Sequence, residues 1–452
     1  MLCAPTMDLQ FKRQLKAACR PDEPVQPGDP RHYDFDAPEL HLRGRPWRAW
    51  LADEIRLSTS PTAQLVTGLR GSGKTTELKQ LEKLLTDEGY RVVYADIGAW
   101  LSDAAPLTTT DLLLALVLAL YPSGTPSGTS GWLRDYAAQV GKFFGSDVAL
   151  EGGVAGIRAK LTTDETLFQS VAKRLHERDG LREDVFELLE RAAAAAFAQG
   201  EELVLILDGG EKRATGELFD HGKKALFQNA WFGAFVLQGR DLRPPIHTIY
   251  TVPPFMVRRT SELAANFGCE LQFLPMVRVL SHAGGLNETG LRAMVAALGR
   301  RVPLECFAEP AVPVWLAAHS GGYFRDLMRF MNFMIHAVGD EPAFTREHAR
   351  YAVEQVRQSY TQGLGLVLEE KRVLQQLHPS KRFPEHEDAR ERMDSLLQGF
   401  KMFRYHNDRD WYDAHPLLWP VLELDDVEDV ITWPRAVEIA GPSSGEDPPE
   451  GA

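Results

Sequence analysis

The stretch that most constrains this chain is residues 64–80, QLVTGLRGSGKTTELKQ. Leu65 and Val66 read as the end of an apolar strand, and a helical pattern begins directly after Thr75. Between them stands Gly68-Leu69-Arg70-Gly71-Ser72-Gly73-Lys74-Thr75, a G-x4-G-K-T run in the strand–loop–helix context that gives the pattern its meaning. The glycines let successive backbone N–H groups converge on phosphate oxygens. Lys74 is expected at the β- and γ-phosphates and the Thr75 hydroxyl at Mg²⁺, and the helix that starts at Thr76 adds its positive end. Gly68, Arg70, Gly71, Ser72, Gly73, Lys74, Thr75 and Thr76 are therefore the expected nucleotide-binding residues.

Two further strands end on polar residues. Glu202–Leu207 (ELVLIL) runs into Asp208, and an acid at that place suits Mg²⁺ coordination through water, making Thr75 and Asp208 the expected metal residues. Glu211, in Asp208-Gly209-Gly210-Glu211, stands where it can orient or deprotonate an attacking water; the competing reading is an acid at a helix start. Ile246–Val252 (IHTIYTV) presents Thr251 at its tip, toward a γ-phosphate or the water. Arg258 and Arg259 follow, either as a finger for a neighbouring site or as a solvated helix face.

At 452 residues the chain exceeds one ordinary domain. Its 44% hydrophobic and 25% charged residues are those of a globular protein. Its longest apolar run, Leu112–Tyr121, is about half a membrane span. The N-terminus, with Asp8 and Lys12, lacks a signal-peptide core, so a cytoplasmic protein without membrane contact is expected. Cys3, Cys19, Cys269 and Cys306 are scattered and read as reduced thiols. A net charge of −13 argues against broad nucleic-acid binding.

Taken in order, the pattern divides into an N-terminal arm (1–35), an α/β nucleotide-binding core (36–283) with an insertion at about 122–180, a helical group (284–362), a helix–helix–hairpin region (363–440) and a polar tail (441–452). The insertion follows from the distance between the Tyr90–Ile97 strand and ELVLIL, too long for one crossover. It suits a lid, a partner contact or structural padding. Within it, LEGGVAGIRAKL suggests a hairpin. His32–Phe35 and Leu271–Val279 suggest two more strands.

These residues resemble the AAA+ ATPases, in the branch shared by origin-recognition-type initiators and bacterial signal-transducing ATPases with numerous domains. The resemblance spans about 40–360 and rests on four stations: the loop ending Lys74-Thr75 (Walker A), LVLILDGGEK (Walker B), IYTVPP, and SGGYFRDL. It implies an α/β fold: a P-loop NTPase three-layer αβα core with a parallel sheet, then a helical lid and a winged-helix-like C-terminal domain. It implies ATP and Mg²⁺ as cofactors. It also implies that Thr251 is the first polar sensor, that Arg325 is a lid arginine contacting phosphate, and that Leu42–Arg45, with Arg43 and Arg45, cradles the adenine. Asp208, Glu211, Thr251 and Arg325 form the implied catalytic set. One departure is Gly209, where most such hydrolases carry Glu, so slow hydrolysis is expected. No N-K-x-D guanine motif occurs, which favours adenine.

Two functions fit: a nucleotide-dependent regulatory switch, in signalling or defence against phage, and a DNA-acting initiator, loader or transposition regulator. Residues 361–440 hold ten basic against sixteen acidic residues, which favours a protein partner over nucleic acid. A homo-oligomer remains open.

Overall fold

The computed structural model describes residues 7–101, 105–121, 131–144, 165–213, 221–363, 365–424 and 430–441. The chain packs as two units, one of Trp47–Gly68 and Lys74–Phe273, the other of Met1–Pro46, Leu69–Gly73 and Leu274–Ala452.

The first unit is built on a parallel sheet of β1 (Ala63–Thr67), β2 (Tyr90–Asp96), β3 (Glu202–Asp208), β4 (His247–Thr251) and β5 (Gln272–Phe273), in the order β2-β3-β4-β1-β5. This is the expected α/β architecture. β1 and β4 are buried at every position and β3 at all but its first, because a parallel sheet flanked by helices is covered on both faces. In register, Asp96 stands beside Asp208 and Val66 beside Thr251, so the carboxyl ends of β1, β3 and β4 share one edge. The helix Lys74–Asp87 leads from β1 to β2.

Thr109–Leu120 is apolar on every side and accordingly buried on every side. It starts where it does because Thr108 and Asp111 form a capping box, with the Asp111 carboxylate accepting the Thr108 N–H at 2.8 Å. The described helices of the insertion, Gly131–Phe144 and Glu165–His176, bury Trp132, Tyr136, Phe144, Phe168 and Val171 in the same core. They are part of the domain's interior. The hairpin expected in LEGGVAGIRAKL lies outside the described residues. The strand expected over Leu271–Val279 shortens to Gln272–Phe273, since Pro275 carries no N–H for the ladder.

The second unit is mostly helical. Leu9–Ala18 is N-capped by Asp8, whose carboxylate accepts the Phe11 N–H at 2.7 Å. The chain after it is tied down by Asn332, which donates to the Cys19 carbonyl at 2.9 Å, and by Arg301, which donates to Arg31 O at 2.7 Å. His32–Phe35 is a turn-rich segment and forms no strand. Glu288–Gly299, Ala311–His319, Phe324–Ala337 and Arg346–Gln358 are helices of this unit. Leu368–Ser380 and Glu387–Gln398 follow, then a hairpin of β6 (Met402–His406) and β7 (Asp410–Ala414). Cys19, Cys269 and Cys306 are free thiols; burial raises Cys19 to about 12 and Cys269 and Cys306 to about 11.

Candidate nucleotide site

In the sheet unit, the end of β1 passes through Gly68 and re-enters at Lys74, the first residue of the following helix. Lys74 is 4% exposed. Its ammonium donates to the Gly68 carbonyl at 2.8 Å and lies 3.3 Å from Glu211 Oε1. One turn of chain thus folds an ammonium back over the loop, with a buried carboxylate balancing its charge. Thr75 Oγ1 donates to Asp208 Oδ2 at 2.7 Å, and the Gly209 N–H donates to Asp208 Oδ1 at 2.7 Å. Asp208 is fully buried. β1, β3 and β4 therefore bring Lys74, Thr75, Asp208 and Glu211 together, and Glu211 sits on the short helix Gly210–Arg213.

Thr251 is buried at the tip of β4 with its hydroxyl turned back, 3.4 Å from the Leu207 carbonyl. Arg258 and Arg259 both lie over the Phe232 ring, at 5.6 and 5.7 Å, and Arg259 also pairs with Glu262 at 2.7 Å.

In the other unit, the middle of the loop rests on residues from two distant segments. Gly71 has φ +78°, and a Cβ there would lie 2.8 Å from both the Tyr323 hydroxyl and Arg325 Cδ. Only glycine fits both the backbone and the space. The Tyr323 hydroxyl donates to the Arg70 carbonyl at 2.6 Å, and Arg43 Nη2 donates to the Ser72 carbonyl at 3.0 Å. Arg43 is buried and its guanidinium stands over the Phe35 ring. Arg70 and Arg45 are exposed. Arg325, on the first turn of Phe324–Ala337, is ion-paired with Asp22 of the N-terminal arm.

Behind Arg325, Asp326 is fully buried and accepts hydrogen bonds from Tyr360 at 2.9 Å, His415 at 2.9 Å and Arg329 at 2.8 Å. Burial alone would raise its pKa, but the His415 bond and the Arg329 charge hold it below the usual carboxylate range. The first helical turn is thereby anchored to the segment after β7.

Do these residues fit a nucleotide and Mg²⁺? Among the described residues of the sheet unit, Glu211 Oε2 is a buried polar atom with no hydrogen-bond partner. Such groups are costly unless a ligand or water completes them. Thr75 and Asp208 supply the hard oxygen atoms that Mg²⁺ takes, and no group of three or more His, Cys, Asp or Glu with metal-binding spacing occurs among the described residues. A pair of protein oxygens with the remainder from phosphate and water is the usual Mg²⁺ arrangement. The donors fit.

The sequence motifs did not disclose Tyr323, Asp22 or Tyr94, whose hydroxyl donates to Asp208 Oδ2. Tyr94 had one visible signal, its place two residues before Asp96 on the strand paired with β3.

No protein-family model matches the chain, and no curated protein does. Among solved structures it is similar to the ORC2 protein of Aeropyrum pernix with ADPNP and ADP, at 12% identity and TM-score 0.43, covering 95% of this chain and 96% of that one. It is similar to a Walker-type ATPase of Pyrococcus abyssi at 13% identity and TM-score 0.44, covering 90% and 100%. The ADP form of the Aeropyrum pernix protein gives 11% identity and TM-score 0.38.

Proposed function

We propose that this chain is an AAA+-type ATPase that binds ATP with Mg²⁺ and serves as a nucleotide-dependent regulatory switch. The observation that carries the reading is the buried constellation of Lys74, Thr75, Asp208 and Glu211 at one edge of a parallel sheet. Bound Mg²⁺ would supply charge neutralisation at the phosphates, held through Thr75 and Asp208. Lys74, now shared between Gly68 O and Glu211, would turn its ammonium to phosphate oxygens. Glu211, released from that pairing, would orient the attacking water and accept its proton. Because Gly209 follows Asp208, the base stands further along the chain than in most such hydrolases, which suits slow turnover.

The switch reading draws on the second unit. Tyr323 and Arg325 touch the loop, while Tyr405 of β6 donates to the Gly321 carbonyl at 2.7 Å and Tyr323 stacks on Phe400 at 5.6 Å. A change at the loop therefore meets the C-terminal hairpin within a few side chains, a route toward a protein partner.

The test is ATP binding and phosphate release by the wild type, Lys74→Ala and Lys74→Ala/Glu211→Gln. Lys74→Ala is expected to weaken ATP by more than about 100-fold, since a charge-assisted contact is lost. The double variant removes both buried charges and controls for folding. Unchanged ATP affinity in both would overturn the assignment.

A further inference from the structure

Tyr94 lies on β2, and its half-buried phenol reaches across to β3. Its hydroxyl donates to Asp208 Oδ2, the same oxygen that accepts Thr75 Oγ1 at 2.7 Å. A carboxylate oxygen offers about two lone pairs. On Oδ2 both are taken, and Oδ1 holds the Gly209 N–H. The Lys79 ammonium stands 3.3 Å over the ring and fixes its plane.

Mg²⁺ in such a site keeps several waters, and a water on the metal reaches the strand-end acid by donating to it. Of the about four acceptor positions of Asp208, three are taken and one on Oδ1 is left. Thr75, itself an expected metal residue, donates to Oδ2, so a metal held at Thr75 lies on the Oδ2 side, where the second position is the one Tyr94 holds.

We propose that the Tyr94 hydroxyl occupies the position on Asp208 that a Mg²⁺-bound water takes, and thereby sets how much Mg²⁺ the nucleotide site requires. This rests on the reading of Asp208 as the metal acid. Tyr94 touches neither phosphate nor the reacting atoms, so it is a positioning residue that acts through Asp208. A purely structural role, in which Tyr94 braces the carboxylate for the metal, predicts the opposite sign. Removing the hydroxyl would then weaken Mg²⁺ binding.

The experiment is a Mg²⁺ titration of the full chain with a fluorescent ATP analogue, for the wild type and Tyr94→Phe, with analogue affinity also measured in EDTA. Bound Mn²⁺ counted by electron paramagnetic resonance gives a second readout independent of turnover. The expected result is a half-saturating Mg²⁺ concentration about three- to tenfold lower in Tyr94→Phe, with affinity in EDTA unchanged, as for loss of one competing hydrogen bond. An unchanged or higher Mg²⁺ requirement in Tyr94→Phe, with wild-type binding Mg²⁺-dependent, overturns the inference and leaves the functional reading standing. Wild-type binding that ignores Mg²⁺ overturns Asp208 as the metal acid, and absent binding overturns the nucleotide site; either removes this inference as well.

Discussion

His319 ends the helix Ala311–His319 with Nδ1 2.9 Å from the Trp315 carbonyl, so that nitrogen carries the proton and donates. Its ring lies 3.9 Å from the Trp315 ring. Burial lowers its pKa to about 4, against the Trp315 bond, which raises it; Arg357 and His415 lower it further. In the unfolded chain the value returns to about 6.5. Between those limits the unfolded chain holds more protons, so stability is full above about pH 6.5 and falls as the pH drops toward about 4. Discounted for partial exposure, the loss is roughly 2 kcal/mol. Urea unfolding at about pH 7 and about pH 4.5 should show the wild type losing that much more than His319→Gln, which retains a donor for Trp315. Equal losses would acquit His319. Residue roles of this kind were the least legible in sequence. SGGYFRDL suggested a helix start with an arginine. That Gly322 has φ +79°, with a Cβ colliding with the Val277 carbonyl, depends on a segment far away in the chain. So does the pairing of Arg325 with Asp22.

At the scale of elements, Asn407-Asp408 turns the chain between two short runs rich in aromatic residues, β6 and β7, and the register pairs His406 with Asp410. Helix starts at Asp8, Thr108 and Asn287 were likewise marked by short polar side chains that accept backbone N–H groups. What sequence did not show is how the hairpin is fastened. Asp413 of β7 is fully buried, 2.6 Å from His378 Nδ1 and ion-paired with Lys381, the left-handed residue that ends Leu368–Ser380. The Tyr412 N–H donates to the Lys381 carbonyl at 3.0 Å. Helix and hairpin are locked by one carboxylate. Asp413→Asn would leave a buried ammonium without its counter-charge, at a cost of about 3–5 kcal/mol. Adding Lys381→Met should recover much of that, since an apolar replacement of a buried pair is often nearly neutral. Thermal unfolding of the two variants checks it, and a single-variant loss under about 1 kcal/mol would deny the lock.

At the scale of the whole molecule, the strand–loop–helix at Gly68–Thr75 and the strands of the parallel sheet were legible because each is a local pattern of adjacent residues. The division into packing units was not, because Leu69–Gly73 belongs with the C-terminal half and its flanks with the sheet. The same scale decides between a protein partner and DNA. Of the ten basic residues in 361–440, Lys381 and Lys401 are buried against Asp413 and Glu370, and Arg404 pairs with Asp410. The hairpin is also occupied within its own unit: a Cβ on Gly44 would collide with the His406 ring, and the Met276 N–H donates to the Arg404 carbonyl at 3.0 Å. The region holds sixteen acids in all, three of them in those pairs, in a chain with net charge −13. DNA affinity arises largely from Lys and Arg that neutralise phosphates and release counterions, and each such contact steepens the salt dependence by about one unit. A surface with three of its ten cations drawn into ion pairs and an excess of carboxylates supplies few of those contacts. Fluorescence anisotropy of the full chain with a labelled duplex of about 20 base pairs should therefore show no sub-micromolar binding at physiological salt, with or without ATP and Mg²⁺. Sub-micromolar binding that weakens steeply as salt rises would instead make the hairpin region a DNA contact, and the proposed switch would then act on DNA.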